Sequence, residues 1–161
     1  MKIILDATDR QILQMLQEDA KINIKAIAAQ LNMTKTPIYE RIKRLEKEGV
    51  ISKYVTLLNR RKLTSSIIVF LEGSLRVEKF EQASEFFDAV AAIPEIVECY
   101  LLGGENDFML KVIAPELDKY HDFYATKIAS LPRVGQIKSS FVIKEIKHTT
   151  ALPNMDYTSK K

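Results

Sequence analysis

Two stretches of this sequence hold residue types at spacings that can do chemistry. The first is LNMTKTPIYERIKRLEKEGVI, Leu31 to Ile51. Ile38, Ile42 and Leu45 recur at i, i+4 and i+7, which lines one side of a helix. At 100° per residue, Thr36, Glu40, Lys43 and Lys47 fall near the opposite side, flanked by Tyr39 and Arg44. An apolar back with a polar, cationic front suits a helix that enters the major groove of DNA. Thr36 can meet a base edge or a thymine methyl, and Glu40 can accept from a cytosine amine. Lys35, Arg41, Lys43 and Arg44 are of the kind that meets phosphates. The same pattern also fits a solvated surface helix, with Arg41 paired to Glu48 and Glu40 to Arg44. The second stretch is LLGGENDFML, Leu101 to Leu110. Two glycines at a strand end can leave backbone N–H groups free for a carboxylate, and Asp107 can meet an ammonium. Together they suit the two charged ends of a free amino acid. A plain hairpin turn is the alternative.

Other chemistry is poorly represented. His121 falls on an expected helix and His148 near the tail, with no nucleophile set beside either, so both read as surface residues. Cys99, the single cysteine, reads as a small packed residue in a strand and excludes an internal disulfide. The sequence has no P-loop, dinucleotide fingerprint or HExxH motif, and no metal site or cofactor is expected. The opening MKIILDATD has an apolar run too short for a secretory signal, and no stretch approaches a membrane span, which points to the cytoplasm. Charge is unevenly divided. Residues 1–64 carry 13 Lys/Arg against 7 Asp/Glu, while residues 65–161 carry 11 against 14. A basic first part on an acidic remainder suggests that only the first part meets a polyanion.

The elements that must position these residues follow from periodicity. ATDRQILQMLQEDA sets Ile12, Leu13 and Leu16 on one helical side, with Thr8 or Asp9 as its cap. INIKAIAAQL places Ile24, Ile27, Ala28 and Leu31 on one face. Asn32 then occupies a tight turn and tolerates a left-handed backbone. Thr34 is placed to cap the third helix, Pro37 sits in its first turn, and Gly49 stops it. Three helices with so short a turn between the last two read as a helix-turn-helix, and this context favours a DNA-reading third helix. VISKYVTLLN then reads as extended and RRKLTSS as a basic connector. Lys53, Arg60, Arg61 and Lys62 there are either further phosphate contacts or a solvated hinge.

Beyond the connector, SIIVFLEGSL, EIVECYLL, DFMLKVIA and VGQIKSSFVIKEI read as strands. Two helices separate them, one with Phe80, Ala83, Phe87 and Val90 inward, the other with Leu117, Tyr120, Tyr124, Ile128 and Leu131 inward. The order β-α-β-β-α-β predicts a four-stranded antiparallel sheet with both helices on one face, a ferredoxin-like sandwich. Strands apolar on both faces predict that the open face is covered by a second copy. The class is α+β. Residues 1–52 form the helix-turn-helix domain, 53–64 a strand-bearing hinge, 65–150 the sandwich, and 151–161 a tail.

These pieces together resemble the Lrp/AsnC, or feast/famine, family of transcription regulators. The resemblance rests on LDATDRQILQMLQEDAKI, LNMTKTPIYERIKRLEKEGVISKYVTLLN, LLGGENDFML and IKEIKHTTALP, and spans Leu5 to about Pro153. It implies a winged-helix-like DNA-binding domain and a C-terminal ACT-like (RAM) module that binds small effectors, usually amino acids. It also implies homodimers, commonly assembled as octamers of four dimers, with effector sites around the glycine–aspartate loop. Position by position, Gly104 and Asp107 match that loop's glycine and acid. Gly103 stands where Ser or Thr is common, Asn106 where a bulky residue is common, and Ser140 where Thr is frequent. The candidate DNA face is Lys35, Thr36, Pro37, Tyr39, Glu40, Arg41, Lys43, Arg44 and Lys53. The implied effector site is Gly103, Gly104, Glu105, Asp107 and Ser140. Two other readings stay open: a DNA-binding regulator or compacting protein without ligand response, and an ACT-like amino-acid-binding module regulating an enzyme.

Overall fold

The computed structural model describes residues 4–77 and 80–153. Expectations for Met1–Ile3, for the side chains of Arg61 and Phe80, and for the tail from Asn154 lie outside the described residues. The chain forms two compact units. One runs to Leu57 and takes back the residues from Lys147, and the other is Leu58–Ile146.

The first unit is helical. Helix α1 (Ala7–Glu18) starts on Asp6. The Asp6 carboxylate accepts from the Asp9 N–H at 2.8 Å, and the Asp9 carboxylate accepts from the Asp6 N–H at 3.2 Å. This reciprocal box satisfies two end groups at once, which is why Asp6 rather than Thr8 or Asp9 is the cap. Helix α2 (Ile24–Gln30) is capped by Asn23, whose side chain accepts from the Ala26 N–H. Asn32 takes φ +50° in the turn, the left-handed conformation expected of it. Helix α3 (Lys35–Lys47) follows Thr34, whose side chain makes no capping bond. Gly49 ends it at φ +72°, and the Ile51 N–H returns to the Leu45 carbonyl. Ile12, Leu13, Ile27, Ala28, Ile38, Ile42 and Leu45 form the buried centre. Each buried Ile or Leu contributes about 1.5–3 kcal/mol. In the same unit the Leu152 N–H donates to Gln17 Oε1 at 2.7 Å.

The stretch after Ile51 reads in sequence as extended and as part of a strand-bearing hinge. Among the described residues it forms no strand, because a single chain offers it no neighbour to pair with. The basic connector forms a short helix instead, α4 (Arg60–Leu63).

The second unit is the sandwich. Strands β1 (Ile67–Leu75), β2 (Ile96–Leu101), β3 (Phe108–Ala114) and β4 (Val134–Phe141) make one antiparallel sheet in the order β2-β3-β1-β4. Val69, Leu71, Phe108, Leu110 and Val112 face the helices and are buried. Helix α5 (Ser84–Ala91) follows a 3₁₀ turn (Phe80–Ala83) and buries Phe86 and Val90. Phe86 therefore takes the deep position expected of Phe87, which is half-buried. Helix α6 (Leu117–Phe123) runs into a π turn (Tyr124–Ile128). The wider turn shifts the inward face, so Tyr120, Phe123, Ile128 and Leu131 are buried while Leu117 is 60% exposed. β4 ends at Phe141, short of the run expected to reach Ile146.

Candidate functional site

The third helix has the division of faces that reading DNA requires. Ile38 and Leu45 are fully buried and Ile42 nearly so, while Lys35, Thr36, Tyr39, Glu40, Lys43 and Arg44 are exposed. Pro37 is half-buried in the first turn and Lys53 is exposed beyond the helix. The apolar stripe turns the polar front outward because three inward residues of α3 close the same core as α1 and α2.

The cations of α3 are not equivalent. Arg41 Nη1 donates to Asp9 Oδ1 at 2.8 Å and also to Asp6 Oδ2. Arg44 Nη2 donates to Asp9 Oδ2. The surface-helix pairings, Arg41 with Glu48 and Glu40 with Arg44, are not the ones formed, because both arginines turn to α1. Asp9 is 1% exposed, so these pairs satisfy a carboxylate that would otherwise be buried unpaired at a cost of several kcal/mol. The backbone N–H of Asp9, and then the Arg41 guanidinium, hold the Asp6 carboxyl below its ordinary value. Arg41 is raised in return by Asp6 and then Asp9.

Lys43 stands on the front. Its Nζ lies 2.8 Å from Glu46 Oε2 and 5.8 Å from the centre of the Tyr39 ring. Glu46 raises the Lys43 ammonium, and the Glu46 carboxyl is lowered by Lys43 and then by the Tyr54 hydroxyl, which donates to Oε1 at 3.0 Å. The Tyr54 phenol is pushed up by burial and then by Glu46. Of the later cations, Arg60 is tied to the Ser66 carbonyl and hydroxyl, and Lys62 is exposed.

In the sandwich, Gly103, Gly104 and Glu105 are exposed at the turn between β2 and β3, and Asp107 is half-buried at its base. Asp107 Oδ2 accepts the Leu75 N–H at 2.7 Å, its N–H donates to the Gly73 carbonyl, and its own carbonyl accepts from the Leu102 N–H. The acid thus closes the loop and clips it to β1. Asn106 Nδ2 donates to Glu72 Oε2 at 3.3 Å, a second clip on the open sheet face. Ser140 shares that face opposite Phe70, three residues along β1 from Gly73, which pairs with Phe108 at the loop. At about 3.3 Å per residue and 4.8 Å per strand, Ser140 is roughly 10 Å along and 10 Å across from the loop. One chain does not bring Ser140 and the loop together.

Cys99 corrects its expectation. It sits on edge strand β2 and is exposed, though partial desolvation pushes its thiol up. His121 and His148 are exposed. Among the described residues no three His, Cys, Asp or Glu side chains are grouped to hold a metal, and no helix is long and apolar enough to cross a membrane.

Sequence reasoning named Asp9 only as a candidate cap and did not single out Asp6, Glu46, Tyr54 or Glu72. The Asp-x-x-Asp spacing at 6 and 9 was the available signal for Asp6 and Asp9, since it matches a capping box. Nothing local marks Tyr54 or Glu72, whose partners come from folding.

Comparison with known proteins bears on both regions. A family model described as winged helix-turn-helix DNA-binding matches residues 5–52, and one described as Lrp/AsnC ligand binding domain matches residues 68–152. The chain is 34% identical over 148 residues to the leucine-responsive regulatory protein of Escherichia coli, covering 92% of this chain and 90% of that protein. It is 32% identical over 150 residues to the DNA-binding transcriptional activator DecR of the same organism, covering 93% and 99%. A solved transcriptional regulator from Neisseria meningitidis, in complex with L-Met, superposes with a TM-score of 0.87 at 33% identity, covering 93% of this chain and 97% of that one.

Proposed function

Since the chain belongs to the Lrp/AsnC family of DNA-binding transcription regulators, we propose that α3 reads DNA with Thr36, Tyr39, Glu40 and Lys43 and that a free amino acid tunes this binding. Of these, Lys43 meets a phosphate; Lys35 and Lys53 reach phosphates on either side, and Arg44 reaches one from the position that Asp9 gives it. Pro37 shapes the first turn and Arg41 sets the helix rather than meeting DNA. The observation that carries this reading is α3 itself, with a buried apolar back and an exposed front on one short helix. Two copies read two half-sites, so the target is roughly palindromic.

The effector is a free amino acid held at the loop of Gly103, Gly104, Glu105 and Asp107. The loop's backbone N–H groups suit its carboxylate, and Asp107 Oδ1 suits its ammonium. The L-Met complex of the Neisseria meningitidis regulator supports this ligand class. Ser140 joins the site only from a neighbouring chain of the assembly. That assembly begins with a homodimer closed over the open sheet face, where Ile68, Phe70, Met109 and Ile113 lie, and rings of four dimers give an octamer. A ligand shifts DNA binding only by favouring one assembly over another.

The test is a duplex selected by the protein from random-sequence DNA, titrated with and without each of the twenty amino acids, with light scattering of the same samples. Lys43→Ala is expected to lower the salt dependence of binding by roughly one phosphate contact. An unchanged affinity and slope would remove α3 from the DNA. One observation favours a second reading, a regulator without ligand response: the Asp107 carboxylate is already engaged by Leu75. No amino acid changing melting temperature, mass or DNA affinity is the result this reading expects.

A further inference from the structure

Resting on the reading of α3 as the recognition helix, the geometry points to Asp9 as a positioning residue of DNA recognition, acting from α1 through Arg41 and Arg44. An apolar stripe decides which side of a helix is buried, but it tolerates some rotation and sliding because dispersion contacts are non-directional. Charge-assisted hydrogen bonds to a guanidinium are directional and do not. Asp9 supplies them from a fixed point. It is buried, and the capping box binds it on both sides to Asp6, so its carboxylate cannot swing. Its Oδ1 takes Arg41 and its Oδ2 takes Arg44, one helical turn further along α3. The two contacts together fix the helix in rotation and in register.

Arg44 carries the consequence to the DNA. Its side chain is 43% exposed while one nitrogen is held by Asp9. A guanidinium has five donors, so the remaining N–H groups can serve a phosphate while the plane stays fixed. A side chain already held loses less freedom on binding than a loose one. Asp9 therefore favours the sequence whose phosphates match that fixed position and adds little on a mismatched duplex.

The experiment compares the full chain with its Asp9→Asn, Arg44→Gln and doubly substituted forms, on a duplex selected from random DNA by the unmodified protein and on a shuffled duplex of the same composition. Asparagine keeps an acceptor for the Asp6 N–H but cannot hold two guanidinium groups. Among folded samples, Asp9→Asn is expected to weaken selected-duplex binding about tenfold and shuffled-duplex binding less than about threefold. In the Arg44→Gln background the same change is expected to add less than about threefold. A lower melting temperature with both affinities unchanged overturns the proposal, as does an equal effect in both backgrounds. Thr36→Ala and Lys43→Ala separate the two levels. If they weaken binding and Asp9→Asn does not, only the positioning role fails. If they leave binding intact, the reading of α3 fails and the positioning role with it. Should Asp9→Asn not fold, Arg44→Lys keeps the charge but not the fork. It is expected to lose selected-duplex affinity several-fold with an unchanged salt slope, and unchanged affinity overturns the proposal.

Discussion

Replacing Asp107 separates a structural clip from a ligand contact, two roles that its position combines. Oδ2 accepts the Leu75 N–H at 2.7 Å, and the two remaining loop bonds use the Asp107 backbone, which no side-chain change removes. Asp107→Ala therefore deletes one hydrogen bond to a charged acceptor. Such a bond contributes about 1.5–3 kcal/mol. Asp107 is half-buried, so solvent screening puts the value at the lower end, about 1.5 kcal/mol, or roughly tenfold in an opening equilibrium. Amide hydrogen exchange at Leu75 reads this bond directly. Asp107→Ala is expected to speed it about tenfold, and Asp107→Asn, which keeps an acceptor, less than about threefold. Calorimetry of amino-acid binding on the same variants reads the other role. An ammonium facing Oδ1 requires the charge, so Asp107→Asn is expected to weaken binding about tenfold while the loop stays protected. If Asp107→Ala left Leu75 exchange unchanged, the clip would hold nothing. If Asp107→Asn bound the amino acid as well as the unmodified chain, Asp107 would be a clip only.

Three further outcomes follow from named contacts. Glu46→Gln frees Lys43 from a carboxylate that competes with phosphate, and is expected to raise DNA affinity roughly two- to fivefold at low salt in a fluorescence titration, with the gain fading as salt rises. The lowered Asp6 carboxyl contributes stability that is present above its ordinary value of 3.8 and is lost as pH falls through its lower folded value. Asp6→Asn should therefore flatten the acid side of the stability–pH curve of the helical unit, and leave neutral-pH dependence unchanged, in denaturant titrations followed by circular dichroism. Phe70→Asp, on the open sheet face, is expected to give monomers at micromolar concentration by light scattering, with DNA affinity falling as the second half-site contact is lost.

What could be read from sequence was what repeats. The stripe Ile38, Ile42, Leu45 has a period, and a period survives whatever the stripe packs against. The apolar run DFMLKVIA read as a strand and is β3, and Asn32 and Gly49 were legible because few residues accept positive φ. Periodicity failed where packing, not local preference, chose the geometry. The π turn at Tyr124–Ile128 moved the inward face from Leu117 and Tyr124 to Phe123, and the 3₁₀ start of the preceding helical stretch moved it from Phe87 to Phe86. Extended residues after Ile51 met no partner within the chain, so a strand preference alone did not make a strand.

The two candidate sites differ in kind, because one rests on a single helix and the other on several chain segments. The front of α3 needs only that its back be buried, so Thr36, Glu40 and Lys43 followed from the stripe. Ser140 and the Gly104–Asp107 loop were joined by resemblance, and strand register sets them far apart within one chain. The arginines show the limit most sharply. Their spacing placed Arg41 and Arg44 beside the front, where phosphate contact is the natural reading of a cation. A cation's role depends on the anion it meets first, and Asp9 lies 35 residues before Arg44. No helical period encodes that meeting. The Asp-x-x-Asp box at the start of α1 does hint at it, since a carboxylate fixed by its own helix end and then buried must find a cation elsewhere in the fold.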